Sequence, residues 1–194
     1  MTALRAVIRA DLEQMAEGQP LSRLRLVARL VVHARWRAVI RWRIAQYAVR
    51  KPMTRPFALW LTDRILASSG AELQPTSTIG PGVLIKHTTG LVVGGGVVAG
   101  ARLTLHQNVT LGDRHPYGGQ PRLGDGVTIG AGACVLGPVT VGDRAVVAAN
   151  ADVLEDVPAD SLVAGVPARV IRTRTPPSWD SAVPASTSYE VAKN

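Results

Sequence analysis

Two patterns of hydrophobic positions follow one another along the chain, and they meet near Gly70. Before Gly70, apolar residues recur at the three- and four-residue spacing of amphipathic helices. We predict one helix from Thr2 to about Glu17, a second from Ser22 to about Val49, and a short third between Pro56 and Gly70. Arginines flank one apolar stripe of the second helix, which comprises Leu24, Val27, Leu30 and Val31.

After Gly70 the spacing changes to six. Neither a strand, with period two, nor a helix, with period 3.6, produces such a series, whereas a hexapeptide repeat does. Each six residues then form one short strand and one corner of a left-handed parallel β-helix, with the aliphatic side chain inside. Thirteen residues occupy this position: Leu73, Ile79, Ile85, Leu91, Val97, Leu103, Val109, Leu123, Ile129, Val135, Val141, Val147 and Val153.

These patterns predict a mainly β protein with three parts. An α-helical cap occupies residues 1–70, a left-handed β-helix residues 71–172, and a polar tail residues 173–194. Thirteen hexads at three per coil give just over four coils.

The six-residue series is interrupted once. Val109 and Leu123 are 14 residues apart, which is two hexads plus two extra residues. Residues 113–121 contain no inward aliphatic position, so we expect them to bulge out as a loop. Insertions in solenoid proteins often carry function.

Composition agrees with tightly stacked layers of small residues, because aromatic residues make up only 4% of the chain while Gly and Pro number 19 and 13. The single Cys134 excludes an intrachain disulfide and suits a reducing compartment. No apolar run approaches the roughly 18 residues that span a bilayer, and no signal-peptide pattern follows Met1. We therefore expect a cytoplasmic protein.

The net charge of +8 is concentrated in the cap, where residues 1–70 hold 13 Lys and Arg against 4 Asp and Glu. Arginines 35, 37, 41 and 43 are spread around the helix axis, so we expect oligomer contacts there rather than a membrane-surface anchor. Nucleic acid is not an expected partner, because no recognition motif accompanies the charge. We expect no metal site, since the histidines are widely separated and no Cys-x-x-Cys is present.

Four segments carry a family resemblance: His-Thr-Thr-Gly-Leu-Val-Val-Gly at 87–94, Val-Thr-Leu-Gly-Asp-Arg-His-Pro at 109–116, Ile-Gly-Ala-Gly-Ala at 129–133, and Ala-Gly-Val-Pro-Ala-Arg at 164–169. With them, residues 70–172 resemble the hexapeptide-repeat acyltransferases, specifically the serine O-acetyltransferases. The resemblance implies a homotrimer or a pair of trimers. It also implies that acetyl-CoA and a small acceptor bind in clefts between neighbouring β-helices.

Acetyl transfer to a hydroxyl requires a base, and a neutral histidine suits that role near pH 7. His87 matches the family's catalytic base. Glu72 stands where the family carries an Asp that orients this histidine, and a carboxylate there would fix the imidazole tautomer. The 15 residues between them are close to one 18-residue coil.

The resemblance places the acceptor at the second histidine motif. Arg114 matches the residue that binds the acceptor carboxylate, and His115 matches a histidine of the acceptor site. An alternative is a sugar or polysaccharide O-acetyltransferase, in which His115 would be the base. A non-catalytic β-helix scaffold is a third hypothesis, which the two histidines and Glu72 argue against. His33 and His106 are predicted to be structural.

Acetyl-CoA needs small residues along the path of its pantetheine arm and a cation near its phosphates. We predict Ala131, Ala133 and Ala149 for the path, and Arg169 or Arg172 for the phosphates.

The chain departs from the family at two positions. Lys86 replaces an Asp that holds the serine ammonium, and a second family acid aligns with Gln19. A lysine there repels an ammonium group, so we expect free L-serine to be a poor acceptor and a modified serine or another hydroxy acid to be better. The sequence ends Val-Ala-Lys-Asn at 191–194 instead of in isoleucine, so we expect no complex with cysteine synthase.

Overall fold

The computed structural model describes residues 2–20 and 22–173. Four α-helices form the cap, and a 3-10 turn at Pro52–Thr54 precedes the last of them. They are α1 (Thr2–Met15), α2 (Arg23–Val32), α3 (Ala34–Ala48) and α4 (Arg55–Ser69). The predicted polar tail beyond residue 173, with the chain end at 191–194, lies outside the described residues.

The predicted second helix is interrupted at His33. Ser22 caps α2 as expected, since its hydroxyl accepts a hydrogen bond from the Arg25 amide. His33 then takes an extended conformation, which ends α2 and starts α3. The Arg37 guanidinium donates to the carbonyls of Leu30 and Val31, so it satisfies groups that a continuous helix would have paired.

The remainder of the described chain is a parallel β-helix with three faces, which confirms the predicted fold class. Face A contains β1, β4, β7, β10 and β13, face B contains β2, β5, β8 and β11, and face C contains β3, β6, β9, β12, β14 and the antiparallel β15. The strands are β1 (Glu72–Leu73), β2 (Thr78–Ile79), β3 (Leu84–Ile85), β4 (Val92–Val93), β5 (Val98–Ala99), β6 (Thr104–Leu105), β7 (Thr110–Gly112), β8 (Arg122–Leu123), β9 (Thr128–Ile129), β10 (Cys134–Leu136), β11 (Thr140–Val141), β12 (Val146–Val147), β13 (Asp152–Val153), β14 (Ser161–Ala164) and β15 (Arg169–Thr173).

Face A marks five coils, one more than the six-residue series completes. The fifth coil contains Val157, which bridges to Val141, and Val163, which pairs with Val147. Val157 follows Val153 after only four residues, so the last coil falls outside the regular spacing.

The strand register relocates the irregularities of the repeat. Leu73 pairs with Val93, so the first coil is 20 residues long and its two extra residues lie between Ile85 and Val93. Leu111 and Leu123 occupy consecutive strands of one coil, so the insertion after β7 adds six residues. The predicted position of the two extra residues, after Val109, is therefore wrong. Leu91 and Val93 are both completely buried, so the hydrophobic series alone does not distinguish their positions.

A buried ion pair joins the cap to the β-helix. Both carboxylate oxygens of Asp11 accept from the Arg43 guanidinium, at 2.7 and 3.0 Å. Asp11 Oδ1 also accepts from the amides of Gly82 and Val83, while Arg43 donates to the carbonyl of Ile79. Side-chain exposure is 0% for Asp11 and 3% for Arg43. Loss of either partner would leave a buried charge, so this contact fixes the cap at the first coil.

The apolar stripe of α2 does not pack into the core. Leu24, Val27 and Val31 are 81%, 57% and 72% exposed, and no residue of α2 is fully buried. The core beneath the cap is instead filled from α3, by Trp36 and Trp42, both of which are completely buried.

Candidate active site

Two corners of the β-helix carry the predicted site residues. The C–A corner connects face C to face A in successive coils, at residues 86–91, 106–109, 130–133 and 148–151. The A–B corner connects face A to face B, at residues 74–77, 94–97, 113–121, 137–139 and 154–156.

His87 lies at the top of the C–A corner, inside the segment that carries the two extra residues. Its side chain is exposed. The corner stacks regularly below it, since the Asn108 amide donates to the Thr89 carbonyl and the Gly132 amide donates to the Gln107 carbonyl. The wider corner therefore presents the predicted base to the outside of the prism, while the next coil supports it.

His106 is half-buried on the same corner, one coil below Lys86, because Ile85 pairs with Leu105. Burial and the neighbouring Lys86 and His87 lower the pKa of the His106 imidazole. The structure thus places a second histidine beside the predicted base, whereas the sequence resemblance attached no role to it. A 20-residue first coil would have revealed this neighbour, but the regular spacing concealed it.

Lys86 is bound by the cap. Its Nζ lies 2.6 Å from Glu17 Oε2, and its carbonyl accepts from Arg35. Glu17 follows the end of α1 with a positive φ of 52°, which turns the chain towards this corner. The aligned Gln19 instead accepts a hydrogen bond from Arg29. The acid of the cap that reaches the site is therefore Glu17, which the sequence analysis missed.

Glu72 lies at the start of face A, next to the His87 segment. Its amide donates to the Leu91 carbonyl, and the Gly90 amide donates to the Gly70 carbonyl. The predicted hydrogen bond from the His87 ring to the Glu72 carboxylate is not formed within the described residues. Glu72 Oε1 accepts from Gln74 Nε2 at 2.9 Å instead.

Arg114 and His115 lie in the insertion of the A–B corner, and both side chains are exposed. The Gly118 amide donates to the His115 carbonyl, which closes a tight turn at the tip of the insertion. The loop that the sequence predicted at 113–121 is therefore present. Face A separates it from His87, so one chain does not bring the two histidines together.

The predicted acetyl-CoA residues fall into two groups. Ala131 and Ala149 lie on the C–A corner in consecutive coils, where the Asn150 amide donates to the Ala131 carbonyl. Ala133 is completely buried inside the prism, so its predicted place on an external path is wrong. Arg169 follows the last segment of this corner, lies 3.7 Å from Glu155 and is largely exposed, and Arg172 is exposed in β15.

Two searches of the described residues concern other kinds of site. No group of three or more His, Cys, Asp or Glu side chains in that part of the chain is arranged to hold a metal ion. None of the helices in the same residues is long and apolar enough to cross a membrane.

Comparison with known proteins yields one consistent family. The model described as bacterial transferase hexapeptide (six repeats) matches residues 120–151. Soybean serine acetyltransferase is 37% identical to this chain and superimposes with a TM-score of 0.80, covering 88% of this chain and 70% of the soybean chain. The chain belongs to the serine acetyltransferase family. A second soybean serine acetyltransferase structure, complexed with serine, is 36% identical with the same TM-score and coverage.

Other serine acetyltransferases match a shorter part of the chain. The Mycobacterium tuberculosis enzyme is 42% identical over 110 residues, which are 56% of this chain and 48% of that protein. Arabidopsis thaliana serine acetyltransferase 3 is 36% identical over 137 residues, which are 67% of this chain and 34% of that protein. The chain thus spans a third to a half of the length of these curated relatives.

Proposed function

We propose that the protein is an acetyl-CoA-dependent O-acetyltransferase whose acceptor is a small hydroxy compound related to serine. The observation that carries this proposal is the position of His87 at the top of the C–A corner, exposed in a segment two residues longer than the regular repeat. Family membership supports the reaction class.

His87 takes the proton of the acceptor hydroxyl as its oxygen attacks the thioester carbonyl carbon of acetyl-CoA. The resulting imidazolium returns that proton to the thiolate when the carbon–sulfur bond breaks, so the base is regenerated. Glu72 is close enough in the fold to stabilise the imidazolium after a side-chain rotation away from Gln74. His106 keeps a lowered pKa and adds little positive charge beside the base.

Acetyl-CoA is proposed to lie along the C–A corner below His87. Successive coils are about 4.8 Å apart, and the corner carries the small residues Ala131 and Ala149 two and three coils below His87. Arg169 lies beyond them near the end of the β-helix, where its guanidinium could bind a phosphate.

The acceptor is proposed to bind between two copies of the chain. Arg114 and His115 lie on the A–B corner, away from the His87 of the same chain. In a ring of copies, the C–A corner of one copy would face the A–B corner of its neighbour. Arg114 would then bind an acceptor carboxylate opposite the His87 of the neighbouring copy. A homotrimer provides three such sites.

Lys86 and Glu17 shape the acceptor preference. An ammonium group would need to displace Lys86 from Glu17, because the two side chains are 2.6 Å apart. Free L-serine is therefore a poor acceptor, and a serine with a blocked amine, or a hydroxy acid without one, is better.

The test is acetyl-CoA consumption with L-serine, an N-acylated serine, an amine-free hydroxy acid and a monosaccharide. We expect the wild type to prefer the second and third acceptors, and Lys86→Asp to raise the rate with L-serine. Glu17→Gln is the matched control, since it leaves Lys86 without its partner and should lower the serine rate further. Efficient acetylation of L-serine by the wild type, unimproved by Lys86→Asp, would contradict the acceptor assignment. No turnover with any acceptor would contradict the proposed function.

A further inference from the structure

Gln120 lies at the end of the insertion that carries Arg114 and His115, and its amide group has two partners. Its Oε1 accepts from the Gly96 amide at 2.8 Å, one coil above, and its Nε2 donates to Asp113 Oδ2 at 3.1 Å. The second bond joins the two ends of the insertion. One side chain therefore both closes the insertion and attaches it to the β-helix.

The glycines at 94–96 provide the space for this side chain. A Cβ atom on Gly94 would lie 2.4 Å from Gln120 Oε1 and 2.8 Å from its Cδ, and a Cβ on Gly96 would lie 3.4 Å from both atoms. The Gly95 position is different, since a Cβ there would meet Thr76 Oγ1 at 2.3 Å. Two of the three glycines thus form a seat for the Gln120 amide.

We propose that Gln120 is a positioning residue that holds the 113–120 insertion in the conformation that presents Arg114 and His115 to the acceptor. This proposal rests on the function proposed above. Apart from the contacts of Gln120, the described insertion is held by its own turn at 115–118, by Gly119 packed near Pro138, and by Arg114 near Gly137. Without Gln120 the ends of the insertion would separate, and small displacements of binding groups are costly for catalysis.

The first variants test the two hydrogen bonds separately. Gln120→Ala removes both, and we expect kcat/KM for the acceptor to fall about tenfold while the KM for acetyl-CoA stays within about twofold. Gln120→Glu keeps an acceptor for the Gly96 amide but places a carboxylate against Asp113, so it should also fall. Asp113→Asn combined with Gln120→Glu restores an amide–carboxylate pair in the opposite sense, and most of the loss should be recovered. Asp113→Asn alone is the matched control.

The glycine seat provides a second test. Gly94→Ala should lower acceptor kcat/KM by displacing the Gln120 amide, but it should add nothing in the Gln120→Ala background. Gly95→Ala is the control for this corner, because its new methyl group meets Thr76 rather than Gln120.

Cleavage by trypsin after Arg114 gives a measurement that does not depend on activity. The insertion should be cut faster in Gln120→Ala and Gln120→Glu than in the wild type, and slowly again in the double variant. Unchanged kinetics and cleavage in Gln120→Ala would overturn the proposal. So would a double variant no better than Gln120→Glu, or equal losses in both KM values together with a lowered Tm. If the wild type acetylates no acceptor, the proposed function fails alone, and the cleavage rates still decide the role of Gln120.

Discussion

At the scale of single residues, the site depends on charges that the sequence does not pair. Lys86 and Glu17 are 69 positions apart, and Asp11 and Arg43 are 32 apart, yet each pair is in direct contact. The motif around His87 could be identified from the sequence, because local residue types define it. The partner of Lys86 could not, because it depends on how the cap docks and on the αL conformation that ends α1.

His106 carries a prediction about pH. Its pKa is lowered by burial, by Lys86 and by His87, so the folded protein binds this proton less readily than the unfolded chain. Above the ordinary histidine pKa of about 6.5 both states are neutral, and His106 does not change stability with pH. As the pH falls below that value, the unfolded chain takes up the proton first, and the free energy of unfolding decreases.

Urea unfolding at pH 7.5 and pH 5.5 measures this effect in the wild type and in His106→Gln. The wild type should lose more stability than the variant over this interval, since the other three histidines are common to both. An equal loss in the two proteins would show that His106 titrates alike in the folded and unfolded states.

At the scale of elements, the six-residue series predicts the β-helix well and its irregularities poorly. All thirteen aliphatic positions are buried, and the predicted loop is present. However, two positions of each hexad point inward, so Leu91 and Val93 satisfy the same pattern. The two extra residues around His87 appear only when the strands are paired. The interrupted second helix was missed for a similar reason, since helical spacing continues across His33.

Glycine in the second place of a hexad is required where coils stack most closely. A Cβ on Gly80 would lie 2.5 Å from the Gly100 carbonyl carbon, which belongs to the backbone of the next coil and has little freedom to move. Gly80→Ala should therefore lower the free energy of unfolding by about 1–3 kcal/mol.

Gly112→Ala is the matched control, because its Cβ would meet nothing within 4 Å. Its effect should stay within about 0.5 kcal/mol. Similar urea midpoints for Gly80→Ala and Gly112→Ala would contradict the close packing of this corner.

At the scale of the whole molecule, the basic cap has a different role from the one its charge suggested. Arg43 is buried against Asp11, Arg35 donates to Lys86, Arg37 to the end of α2 and Arg41 to Ser68. The four arginines that seemed spread without order around the helix therefore hold the cap together and attach it to the β-helix. Their side-chain targets are distant in sequence, so the charge pattern alone could not show this.

The proposed site between copies predicts complementation. His87→Ala and His115→Ala should each have low activity, but mixed assemblies of the two should regain some of it. In a random one-to-one mixture, roughly a quarter of the sites would combine an intact His87 corner with an intact insertion. Co-expression with two different tags isolates the mixed assemblies. Activity no higher than that of the separate variants would contradict a site shared between copies.

The identity of the base is tested most directly by the turnover rates of His87→Ala and His115→Ala with the preferred acceptor and saturating acetyl-CoA. His87→Ala should lower kcat by about 100-fold or more with an unchanged Tm, because it removes the group that accepts the hydroxyl proton. His115→Ala should act mainly on the KM for the acceptor. Near wild-type turnover in His87→Ala, together with abolished turnover in His115→Ala, would assign the base to His115 and contradict the mechanism proposed here.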